Sequence, residues 1–101
     1  MTNNHYILTD KTHRLKKVDS LIWARWFQNA GKKKQVGYEI IGDMQVSTVF
    51  IGIDHNFSNR GSELLFETMI FGGDRDNETH RYSTWKEAET GHEKIVKSIE
   101  T

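Results

Sequence analysis

The sequence predicts an α+β fold from three observations. Two segments, one on either side of the chain's middle, carry apolar residues at three- and four-residue spacing. Between them lie three β-rich runs ended by glycine or turn-forming residues. No repeat, linker or low-complexity block divides the 101 residues, so residues 1–101 are expected to form one domain. The expected architecture is an antiparallel sheet of three to five strands with two helices packed on one face, in the order β(β)αβββα.

Tyr6 to Leu8 reads as a short strand that turns at Thr9-Asp10-Lys11, and His13 to Val18 is its candidate return partner. Asp19 or Ser20 can cap a first helix, whose stripe is Leu21, Ile22, Trp23, Trp26, Phe27 and Ala30 and whose stop is Gly31. Lys32, Lys33 and Lys34 fall in its last turn or just beyond, where cations complement the exposed carbonyls. Gln35 to Ile41 and Met44 to Ile53 read as a hairpin about Gly42-Asp43. The consecutive Val49, Phe50 and Ile51 suggest a central strand covered on both faces. A turn-rich loop, Asp54 to Gly61, leads to a strand from Glu63 to Phe71, which Gly72 and Gly73 end. Asp74 to His80 is polar and reads as a mobile loop. The last helix starts at Ser83 or Thr84, with Thr84 and Glu87 at capping-box spacing, and its stripe is Trp85, Ala88, His92, Ile95, Val96 and Ile99.

Composition limits the function. A hydrophobic fraction of 36% with 28% charged residues suits a globular chain able to bury a modest core. Fourteen basic residues balance fourteen acidic ones, so no net field draws the molecule to nucleic acid or to an anionic membrane, and neither is an expected partner. The absence of cysteine excludes disulfides, thiolate catalysis and cysteine-based metal sites. No stretch approaches the roughly 20 apolar residues that span a bilayer, and the polar opening Met1 to His5 lacks the regions of a signal peptide, so a cytoplasmic location is expected.

The chemistry-bearing candidates are few. Glu67 lies inside an apolar strand and therefore needs a partner, a proton or an exposed face. Asp54 and His55 adjoin at the end of another strand, where a bend would let them converge, although Asp54 can equally tie down its own loop with Phe57 as the core anchor. His92 sits on the apolar stripe of the last helix, as a neutral core histidine or as the partner of a carboxylate. Glu67 is the favoured partner for His92 if that helix covers its face. His55, Glu67 and His92 are the candidate catalytic residues, but no metal-ligand spacing accompanies them, so no metal or cofactor is expected. Lys11, His13, Arg14, Lys16 and Lys17 could join Lys32 to Lys34 in a phosphate-binding patch, which the balanced composition and the core spacing of the tryptophans argue against.

Four sets of segments also carry a resemblance. Trp23-Ala-Arg-Trp-Phe27, Val46-Ser-Thr-Val-Phe50 with Gly52-Ile-Asp-His-Asn-Phe57, Leu64-Leu-Phe-Glu-Thr-Met69 with Phe71-Gly-Gly73, and Tyr82-Ser-Thr-Trp85 with Glu87-Ala88 and Gly91-His92 resemble a family of small proteins encoded in bacteriophages and prophages. The resemblance runs from Tyr6 to Val96. It implies a phage-related origin and a compact domain, and brings no activity with it. It also raises the standing of Asp54, His55, Glu67 and His92 and adds Tyr82 and Arg25, and the residues expected to bind a ligand or partner are Asp54, His55, Asn56, Glu67, Tyr82 and Arg25. The resulting expectation is a non-enzymatic accessory protein of the host cytoplasm, with a counter-defence role, that binds a host protein or a small ligand. Homodimerisation through an exposed sheet face or edge accompanies it. The competing expectation is a small metal-dependent or acid–base hydrolase of nucleotides or nucleic acid. Convergence of the four polar candidates in one concave pocket would favour the hydrolase, and their dispersal the binding protein.

Overall fold

A computed structural model describes residues 4–58 and 60–100. The elements are β1 (His5–Leu8), β2 (Leu15–Val18), α1 (Ser20–Ala30), a 3-10 turn (Gly31–Lys34), β3 (Gln35–Ile41), β4 (Met44–Phe50), β5 (Phe66–Phe71), β6 (Thr79–Tyr82) and α2 (Trp85–Glu100). The fold is α+β, with a four-stranded antiparallel sheet in the order β3-β4-β5-β6 and a separate β1-β2 hairpin. Its extents of 43 × 30 × 21 Å describe an elongated body, in which the hairpin and α1 form one half and α2 with the large sheet the other.

Local chemistry sets the helix ends. The Asp19 side chain accepts from the Ile22 amide at 2.9 Å, which satisfies one of the free donors at the start of α1. Gly31 ends the helix at a φ of 55°, a left-handed conformation that glycine adopts without steric cost. At the start of α2, Thr84 Oγ1 accepts from the Glu87 amide while the Glu87 carboxylate accepts from the Thr84 amide, a reciprocal capping box.

The two-residue period of the strands separates the sheet's faces. Val46, Thr48 and Phe50 of β4 and Phe66, Thr68 and Ile70 of β5 are buried beneath α2, which adds Ala88, His92 and Ile95. Phe50, Phe66, Leu65, Leu8 and Ala88 form one apolar cluster, and Val46, Ile70 and Ile95 another. Trp85 meets Phe66 edge-on at 6.2 Å, and Ile99 packs on the second cluster, so α2 docks through the stripe read from its sequence. The hairpin is held between the core and α1. Tyr6, Leu8 and Leu15 turn to the first cluster, while His5, on the opposite face, meets Trp23 of α1 at 5.3 Å. Trp26 reaches past the hairpin to meet Phe50 edge-on at 5.6 Å, so both helices lie on the same side of the large sheet.

Three expectations are corrected. The stretch from Asp74 to His80 is not a loop throughout: a short 3-10 turn leads into β6, whose residues pair with β5 from Phe66↔Tyr82 to Met69↔Thr79. Its half-exposed polar residues conceal the alternation of an edge strand. The N-terminal hairpin forms its own sheet rather than extending the large one. Val49 faces away from α2 and is only half-buried, because no described element covers that side of β4.

Candidate functional site

His92 stands at the centre of a hydrogen-bonded chain that crosses the sheet beneath α2. Tyr82 donates its phenol proton to Thr68 Oγ1 at 3.0 Å, and Thr68 Oγ1 lies 2.5 Å from Thr48 Oγ1. Thr48 Oγ1 lies 2.7 Å from His92 Nδ1, and His92 Nε2 lies 3.0 Å from a Glu39 carboxylate oxygen. One proton order satisfies all five groups: each hydroxyl donates toward the ring, Nδ1 accepts, and Nε2–H donates to Glu39. Thr48, Thr68 and His92 are buried, and hydrogen-bonding each of them removes the cost of a lone buried polar group. Two glycines make room. A Cβ at Gly37 would stand 2.7 Å from the His92 ring, and one at Gly91 would collide with the Tyr82 ring.

The sequence of carboxylate, imidazole and hydroxyl is that of a nucleophilic triad, but this geometry cannot serve one. Thr48 has no exposed surface, so no substrate carbonyl or phosphate reaches its oxygen. Tyr82 lines a cleft of about 500 Å³ between β6 and α2, which none of the other four groups lines. Burial raises the pKa of its phenol, against a smaller opposing effect from its bond to Thr68, so the group stays protonated at neutral pH.

The other candidates lie apart. Glu67 points to the uncovered face of the sheet and pairs with Arg81 at 3.1 Å, so the expected Glu67–His92 pair does not form. Its strand position is the cause, since β5 turns Phe66 and Thr68 toward α2 and therefore Glu67 away. Asp54 Oδ1 accepts from the Asn56 and Leu64 amides at 2.8 and 2.9 Å, and the Asn56 side chain binds the Arg60 and Ser62 carbonyls, so both residues hold their own loop. His55 Nδ1 bonds the Ile53 carbonyl at 2.8 Å. Phe57 is 81% exposed and anchors nothing in the core, a correction to the role expected of it. Asp54, His55, Glu67 and His92 are thus dispersed and individually satisfied. Among the described residues no group of three or more His, Asp or Glu could hold a metal ion.

Arg25 belongs to a different place. The α1 residues Ile22, Arg25, Trp26, Asn29 and Ala30 recur at helical spacing along an open cleft of about 440 Å³, whose opposite wall includes Ile7 of β1. A second cleft, of about 520 Å³, lies between Trp26 and the β1-β2 turn and is lined by Leu8, Lys11 and His13. Trp26 and Lys33 line both. Lys16 pairs across the hairpin with Ile7, which places it on the same face of the hairpin. His13 has the left-handed φ of 60°, uncommon outside glycine, and its ring stacks on Trp85 at 3.5 Å with the planes 3° apart.

The electrostatics of this cleft differ from those of the rest of the chain. Between Lys11 and Lys34 there are eight Lys or Arg and one acidic residue, Asp19, whereas from Gln35 onward there are six and twelve. The balanced total conceals this separation. Arg25, Lys33, Lys11 and Lys16 have no ion pair among the described residues. The two acids of the lining are already engaged: Asp19 caps α1, and Asp10 accepts from the Thr12 hydroxyl and amide, bonds that hold its carboxyl below the usual carboxylate range. The sequence signal for this site was the pair of basic runs, and what it lacked was the packing of the hairpin turn beside Lys33.

The fold and this site thus define an α+β domain with a basic, tryptophan-lined cleft. No protein-family model, curated protein or solved structure matches the chain. No described helix is long and apolar enough to cross a membrane.

Proposed function

We propose that the chain is a small phage-derived accessory protein that works by binding, without catalysis, in the cytoplasm of the host cell, and that a counter-defence role follows from capture of a host component. One observation supports this reading above the others. The polar side chains beneath α2 and in the Asp54 loop are consumed by structural hydrogen bonds, while the cations around Trp26 face open clefts without an ion pair among the described residues. A hydrolase built on Asp54, His55, Glu67 and His92 would need them within reach of one substrate, and their dispersal speaks against it. Clefts of this size match a small ligand better than a protein surface, which needs roughly 800 Å² from each partner.

The uncovered sheet face supports a second reading, homodimerisation. Tyr38, Ile40 and Phe71 are exposed there, and the one ion pair on that face among the described residues, Glu67–Arg81, is internally neutral, so a second copy meets no net charge from it. Native mass spectrometry of protein purified from bacterial cells tests both readings. A retained small molecule that is lost with Arg25→Ala/Lys33→Ala supports ligand capture. A bare chain that also fails to take up any component of a cell extract rejects it.

A further inference from the structure

We propose that the cleft along α1 takes a nucleotide-type ligand, a planar ring carrying a phosphate ester, with the ring beside Trp26 and the phosphate between Arg25 and Lys33. This deepens the binding reading given above and rests on it.

Charge supplies the first argument. Cations held together with too few counter-charges repel one another, and a multivalent anion removes that repulsion on binding. Asp10 and Asp19 offset part of the charge in the lining, but neither forms an ion pair with these cations among the described residues, and each is held by its own backbone hydrogen bond. A phosphate ester suits the cations better than a carboxylate does. It carries up to two charges and several acceptor oxygens, enough for the planar fork of Arg25 together with the point charge of Lys33.

The ring follows from Trp26. This side chain lines both clefts while its contact with Phe50 fixes it from the core side, so an aromatic surface is held in place between the cations. The other rings nearby are occupied. His13 stacks on Trp85, and Trp23 lies between His5 and Phe27, so no row of free rings continues from Trp26. A single-stranded nucleic acid is bound on successive aromatic platforms, whereas one free ring between cations suits one nucleotide. The clefts, about 440 and 520 Å³, are of the size that small ligands fill.

Calorimetric titration of the whole chain with each of the four nucleoside 5′-monophosphates, with the corresponding nucleosides, with inorganic phosphate and with an eight-residue oligothymidylate tests the proposal. At least one monophosphate is expected to bind with one-to-one stoichiometry, and its nucleoside and phosphate alone at least about tenfold more weakly, a difference of about 1.4 kcal/mol. Arg25→Ala/Lys33→Ala should lower the monophosphate affinity by at least the same factor while the melting temperature of the free protein stays within a degree or two. The conservative Trp26→Phe should retain part of the affinity. Tighter binding of the oligonucleotide, with a steep salt dependence, would replace the single nucleotide with a strand and overturn the proposal. Failure of every monophosphate would also overturn it. If Arg25→Ala/Lys33→Ala then still strips a co-purified molecule from the chain, the binding reading stands and only the nucleotide class falls.

Discussion

The two halves of this molecule use their polar residues in opposite ways. Beneath α2 every buried polar side chain has a partner, and the chain from Tyr82 to Glu39 passes between two apolar clusters without leaving a donor or acceptor unmet. Between the hairpin and α1, three cations, Arg25, Lys33 and Lys11, line the two clefts that share an indole, with no ion pair among the described residues. The first arrangement returns its hydrogen-bonding capacity to folding. The second leaves its charge available. A perturbed or unusual residue is therefore a poor guide to function in this chain unless its partners are counted, because His92, a candidate catalytic residue of the sequence, is among the most completely satisfied.

The largest effect is expected at the seam. Trp85 packs edge-on against Phe66 and face-on against His13, so it belongs to both halves. Trp85→Ala should lower stability by about 3–5 kcal/mol in urea denaturation, a large part of a domain's usual reserve. A loss below about 1 kcal/mol would show that the halves do not depend on one another.

Within the α2 half, His92→Ala removes the shared partner of Thr48 and Glu39 and should cost about 1–3 kcal/mol. The double-mutant cycle with Thr48→Val should give a coupling above about 0.5 kcal/mol, whereas His92→Ala and Glu67→Gln should add within that margin, because Glu67 lies on the other face of the sheet. Strong coupling of His92 to Glu67 would contradict the strand orientation itself.

A smaller effect is expected from pH. Glu78 accepts from Arg75 and His80, with the Arg75 hydrogen bonds dominant, and its pKa falls from the ordinary 4.5 to about 2. The folded state thus holds the proton less tightly than the unfolded chain. The stabilisation is complete above pH 4.5 and disappears as pH falls through 2. Acid titrations followed by circular dichroism should show this loss in the wild type and its absence in Glu78→Gln. The smallest change in stability, within about 0.5 kcal/mol, is expected for Ile40→Asp, since Ile40 is 67% exposed. If the uncovered face dimerises, sedimentation should nevertheless show self-association lost in this variant, and unchanged association would place the interface elsewhere.

What could be read from the sequence was what is local. The Asp19 cap, the Thr84–Glu87 capping box and the stripe of α2 each depend on residues within a few positions of one another. β6 escaped because an exposed edge strand can be polar at nearly every position, so Thr79 to Tyr82 carries little period-2 signal. The partner of His92 escaped for a different reason. Glu39 lies 53 residues away, and its strand carried the same cue as Glu67, a carboxylate in an apolar run, so choosing between them required knowing which strand face α2 covers. The basic cleft was present in the sequence as two runs, but averaging charge over the whole chain cancelled them against the acids that follow Gln35.

The comparison between the halves is tested most directly by measuring stability and ligand capture on the same two variants, His92→Ala and Arg25→Ala/Lys33→Ala, with thermal melting and native mass spectrometry of the folded fraction. The account predicts a crossed result: His92→Ala melts earlier yet still carries its ligand, and Arg25→Ala/Lys33→Ala melts as the wild type does but is empty. Capture lost in His92→Ala while the basic variant keeps it would place the site beneath α2 and contradict the account.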